Sequence, residues 1–128
     1  MDVATLARLE HENMREWLRI SCGQVPGALI ESIPGLGVYA TGLPVPLFNQ
    51  VVTDDGVTAS ELTSAIETMR GRGVRFYPVL RRGPDDRLGP VLTGLGLPRD
   101  PGILPGMGLH PIPPDLVTTA DGLDIHVI

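Results

Sequence analysis

The hydrophobic and polar positions change period along the chain, and each change marks an element. Between Asp2 and Cys22, apolar Val3, Leu6, Leu9, Met14, Trp17 and Leu18 recur at spacings near three and four. Arg8, Glu12, Arg15, Glu16 and Arg19 take the other side. This pattern predicts an amphipathic helix ended by Gly23. His11 projects beside Ala7, Met14 and Leu18 and borders the stripe, as a packed or half-exposed structural histidine does. Glu12–Arg15 and Glu16–Arg19 are i,i+3 pairs, worth a few tenths of a kcal/mol each. The stretch Gln24–Gly35 reads as a linker, with Pro26, Gly27, Pro34 and Gly35 enclosing the short apolar piece Ala28–Ile33.

Leu36–Ala40 is an apolar run of strand type, and Leu47–Val52 is a second, separated from it by the turn residues Gly42-Leu43-Pro44-Val45-Pro46. Thr53-Asp54-Asp55-Gly56 is a turn, and Thr58-Ala59-Ser60-Glu61 has the spacing of a capping box. The helix it opens carries Ala59, Leu62, Ile66 and Met69 on its buried face and closes at Gly71 and Gly73. Val74–Leu80 alternates as a strand, and Pro78, which has no N–H to donate, places it at a sheet edge or on a bulge. Leu88, Val91, Leu92 and Leu95 form a helical stripe that tolerates Pro90 only in its first turn, which puts the cap near Asp86. Pro98–Pro114 is an irregular crossing with six prolines. Leu116–Thr119 and Leu123–Ile128, joined at Ala120-Asp121-Gly122, suggest a closing hairpin.

Composition narrows the class. A chain of 128 residues fits one domain, here 1–128, with a single core, and with aromatics at 4% that core rests on Leu, Val, Ile, Met and Ala. No window approaches a membrane span, no basic, apolar signal opens the chain, and the single Cys22 suits a reducing compartment, so a cytoplasmic location is expected. A net charge of −5 disfavours nucleic acid as partner. All ten basic residues are Arg, and six of them (Arg70, Arg72, Arg75, Arg81, Arg82, Arg87) fall in one region. That cluster reads either as a solvated helix end and loop or as an anion site.

The run Gly42–Val51 (GLPVPLFNQV), the helix around Glu61–Met69, Leu92–Leu97 (LTGLGL) and Pro105-Gly106-Met107-Gly108-Leu109 together resemble the N-terminal half of two-part actinobacterial proteins of the GNAT superfamily of N-acyltransferases. The resemblance implies an α+β fold: a small, mainly antiparallel sheet of four to six strands with three covering helices. It implies a domain that shapes an acceptor cleft or serves as an assembly module. The acetyl-CoA loop belongs to a C-terminal half not found in this chain. The competing reading is a stand-alone small-ligand-binding or dimerisation protein, whose last strand, Leu123–Ile128, pairs with a second copy or with another sheet edge.

Candidate chemistry is sparse. The superfamily's loop needs a strand before it and a helix after it, so that backbone N–H groups hold a pyrophosphate. Arg70-Gly71-Arg72-Gly73 follows a helix and precedes a strand. His11, His110, His126 and Cys22 lack metal-ligand spacing, and no catalytic residue is assigned. The strongest polar signal is Asn49 between hydrophobic neighbours, where an unmet amide costs roughly 1–3 kcal/mol. Asn49 either satisfies a strand end or, with Phe48, Tyr39 and Met107, lines the mouth of a ligand cleft for a small-molecule acceptor. These residues would bind and shape, since none is a plausible general base. No cofactor is expected in this chain, and acetyl-CoA enters only with a second half.

Overall fold

The computed structural model describes residues 1–101 and the backbone of two short strand pieces at 119–120 and 123–124. Helix α1 (Val3–Gly23) starts at Asp2, whose carboxylate accepts the Thr5 N–H at 2.8 Å. Strands β1 (Leu29–Ile33) and β2 (Leu36–Ala40) form a hairpin around Pro34-Gly35, so the stretch expected as a linker contains a strand. A 3-10 turn, Pro46–Phe48, leads into β3 (Asn49–Thr53). Helix α2 (Ala59–Gly71) opens with the capping box expected of Thr58 and Glu61. Strand β4 (Tyr77–Val79) and a short α3 (Gly89–Gly94) follow, and Pro90 lies in the first turn of α3. The strand pieces β5 (Thr119–Ala120) and β6 (Leu123–Asp124) pair antiparallel with each other. The rest of the expected closing hairpin lies outside the described residues.

The fold is α+β, with a mixed sheet in the order β1-β2-β3-β4 and, among the described residues, three α-helices. β1–β2 and β2–β3 are antiparallel, while β3–β4 is parallel because α2 crosses between them. Pro78 sits on β4 at the sheet edge, where a missing N–H is tolerated. The sheet has two covered faces. Leu36, Val38, Ala40 and Val51 pack with Leu62, Ala65, Ile66 and Met69 of α2 and with Leu88 and Leu92 around α3. Tyr39 and Val52 point the other way, against Leu18 and Cys22 of α1.

The α1 stripe differs from its periodicity. Met14 and Leu18 turn inward as expected, but their companions are His11 and Cys22, while Val3, Leu9 and Trp17 are exposed. Of the two expected pairs, Glu16–Arg19 forms. Glu12 pairs with Arg8 instead, because Arg15 turns inward to Asp54. On α2, Ala65 replaces Ala59 on the buried face. No helix among the described residues is long and apolar enough to cross a membrane.

Candidate functional site

Asn49 opens β3 at 0% exposure, and the surrounding backbone together with the Thr41 hydroxyl uses all of its hydrogen-bonding capacity. Its Oδ1 accepts from the Gly42 N–H at 3.1 Å and the Thr41 hydroxyl at 3.2 Å. Its Nδ2 donates toward the carbonyls of Leu43 (2.7 Å), Val45 (3.1 Å) and Arg75 (3.2 Å). The amide therefore ties the β2–β3 loop to the segment before β4. That loop needs such a tie because Gly42 turns it through φ +82 and Pro44 and Pro46 withdraw two N–H donors. An amide carries two N–H groups and one carbonyl oxygen, so no capacity is left over for a ligand.

Phe48 is half-buried, and its carbonyl accepts from the Thr41 N–H at 3.3 Å and the Cys22 thiol at 3.7 Å. Tyr39 lies on the α1 face of the sheet, whereas Asn49 shares its face with Val51, toward α2. The ring of Tyr39 folds back over Gly37, where a Cβ would meet the Tyr39 hydroxyl at 2.6 Å. The fold thus does not gather Tyr39 and Asn49 into one cleft. Met107 lies outside the described residues.

A different cluster, of which the sequence reading held only Arg81 in its Arg-rich region with Asp85 nearby to neutralise it, sits where the parallel strands β3 and β4 end. Arg81 grips Asp85 through two parallel bonds, Nε to Oδ2 and Nη2 to Oδ1, both 2.9 Å. The Arg81 backbone N–H adds a third at 2.9 Å, and the Thr53 hydroxyl a fourth at 2.6 Å. Arg81 Nη1 also reaches Asp55 at 2.8 Å and Asp54 at 3.3 Å. From α1, Arg15 donates to Asp54, and His11 Nε2 stands 3.9 Å from the same carboxylate. Both His11 Nε2 and Arg15 Nε are buried with no hydrogen-bond partner among the described residues. The legible signal was modest: Asp54-Asp55 directly follow β3, Arg81 follows two residues after β4, and His11 and Arg15 stand four apart on one helix face.

The electrostatics make this cluster a brace. Burial pushes the Asp85 carboxyl up, but the bonds from Arg81 and Thr53 outweigh it and hold the group below its ordinary range. Asp54 is held low in the same way, by the Asp55 N–H and the charges of Arg15, His11 and Arg81 against its burial. The Arg81 guanidinium is correspondingly harder to deprotonate, chiefly through its bond to Asp85. Carboxylates so stabilised are poor bases. Cys22 is buried, which pushes its thiol up and keeps it unreactive.

The β3–α2 junction is the place where a strand runs into a helix N-terminus, the usual geometry for binding an anion. Here it is occupied by the chain itself. Asp54 Oδ1 accepts the Asp55 N–H at 2.8 Å, the Glu61 carboxylate accepts the Thr58 N–H at 2.8 Å, and Thr58 Oγ1 accepts the Glu61 N–H at 3.1 Å. Asp54, Asp55 and Glu61 also put negative charge where a phosphate would come. Arg70-Gly71-Arg72-Gly73 lies at the opposite end of α2. There Arg70 donates to the Leu95 carbonyl and Arg72 to the Gly27 carbonyl at 2.9 Å. Among the described residues no three of His, Cys, Asp and Glu converge as metal ligands. No protein-family model matches the chain, and no match emerges among curated proteins or solved structures.

Proposed function

We propose that this chain is the non-catalytic half of a GNAT-like N-acetyltransferase, shaping an acceptor cleft or acting as an assembly module. The observation that carries the reading is the β3–α2 junction. The order of α1, an antiparallel β1–β2–β3, a crossing helix and a parallel β4 is compatible with such a half fold. Yet the strand-to-helix turn that would cradle a pyrophosphate is filled by Asp54, Asp55 and a closed capping box. A diphosphate placed there would meet three carboxylates and N–H groups already engaged, so acetyl-CoA belongs to a separate catalytic half. The acceptor side of the cleft would be this chain's contribution, with Phe48 and the Asn49-braced loop at its rim.

Calorimetry with acetyl-CoA tests this directly. The expected result is no heat of binding to this chain at about millimolar acetyl-CoA. Micromolar affinity would overturn the assignment. The second reading, a binding module without enzymatic activity, is favoured by the free β1 edge of the sheet, which closes no barrel and meets no partner strand among the described residues.

A further inference from the structure

We infer that the β1 edge and the groove beside it form a docking site for an extended peptide segment carrying an apolar residue between two basic ones. This goes beyond the acyltransferase-like reading and does not depend on it. β1 ends the sheet, so alternate N–H and C=O groups along it point away from β2 and meet no other strand among the described residues. Beside it, on the α2 face, runs a groove of about 90 Å³ walled by Ile33, Leu36, Val38 and Ala65. A space of that order admits one branched aliphatic side chain. Ile33 is 44% exposed at its mouth.

Charge chooses the occupant. Glu31 and Glu61 line the groove, and among the described residues no cation does. Glu31 has no ion pair among the described residues, and Glu61 commits only Oε2 to its capping box. A second copy fits poorly: Glu31 is the middle residue of β1, so two β1 strands crossing antiparallel about that point would set Glu31 against its own image. The chain's own residues 102–128 carry no Arg or Lys and three Asp, the wrong sign for this rim. A basic segment from another protein satisfies both carboxylates. Because side chains alternate along a strand, the groove reads residues two apart, giving the pattern basic-x-aliphatic-x-basic.

The test is titration of the full chain with the peptide Arg-Thr-Val-Thr-Arg, followed by backbone amide NMR. Saturable shifts confined to 29–33 and 61–68, about fivefold weaker binding in Glu31→Arg, and a gain by that variant for Glu-Thr-Val-Thr-Glu would establish the site. Equal binding of the acidic peptide to the parent chain, shifts elsewhere, or none at about millimolar peptide would overturn it. So would protection from exchange, in the free protein, of those β1 amides that point away from β2. Protection at every concentration would mean that the chain covers its own edge, and protection only at high concentration would mean that a second copy does.

Discussion

Replacing Asp85 with Asn keeps the size and shape of the side chain but removes its charge and turns one acceptor into a donor. Asp85 is 1% exposed and accepts four hydrogen bonds, three of them from Arg81. Breaking a buried pair from one side leaves the partner's charge uncompensated and costs about 3–5 kcal/mol. The lower end applies here, because Arg81 is 21% exposed and retains Asp54 and Asp55. At about 3–4 °C per kcal/mol for a chain of this size, Asp85→Asn lowers the melting temperature at pH 7 by about 10 °C.

The pH dependence separates charge from shape. Asp85 has a folded-state pKa below its ordinary value of 3.8, so the folded state binds fewer protons than the unfolded one in that range. Its contribution is complete above the unfolded value and fades as pH falls through the depressed folded value. Asn does not titrate. Thermal melts of parent and variant from pH 7 down to about pH 2.5 should therefore show a constant gap above about pH 5 that closes below about pH 4. A gap that stays the same at pH 2.5 would refute the reasoning and assign the loss to the misplaced NH₂ group alone.

Asn49→Ala removes five polar contacts from a fully buried position and should cost about 2–4 kcal/mol, read as a urea midpoint shift with unchanged slope. A midpoint within error of the parent would mean that water replaces the amide and that Asn49 braces nothing. Gly35→Ala and Gly27→Ala form a second pair. Both residues have positive φ, +81 and +77, and both substitutions should cost about 1–2 kcal/mol for that alone. Only at Gly35 would the new Cβ meet backbone, with Val57 N at 2.6 Å, so Gly35→Ala should be the more damaging by at least about 1 kcal/mol in chemical denaturation. Equal losses would show that the β1–β2 turn does not press on the start of α2.

The elements whose cause is local were legible in the sequence. The Thr58–Glu61 box, the glycine closure of α2 and the edge position of Pro78 each follow from a few neighbouring residues, and each stands where the pattern puts it. β1 was hidden because Glu31 and Ser32 break its apolar run, as they must on an exposed edge strand. The face of α1 was hidden for another reason. Leu6, Leu9, Trp17 and Ile20 offer an apolar stripe comparable to that of Met14, Leu18 and Cys22, and periodicity alone does not rank them. What decides is Asp54, far along the chain, which accepts Arg15 and faces His11. A helix face carrying His and Arg reads as solvent-facing until the carboxylate that meets it is known.

The cluster to which that carboxylate belongs explains why a strand as short as β4 holds its place. Its ladder to β3 spans three residue pairs, too few to fix a parallel strand by backbone bonds alone. The Thr53 hydroxyl, at the end of β3, donates to Asp85 with the Val79 carbonyl 3.1 Å away, so it meets both β4 and the turn beyond. Arg81 then bridges the two faces of the sheet. On one face it holds Asp85, next to Leu88 and the α3 packing. On the other it reaches Asp54, which α1 also holds through Arg15. α1, β3, β4 and the approach to α3 thus share one set of charges. These charges occupy the C-terminal ends of the parallel strands, where open α/β sheets usually bind ligands. The residues that stabilise this end of the sheet thereby fill it with paired charge, and the β1 edge, which meets no partner strand among the described residues, is what remains for the docking proposed above.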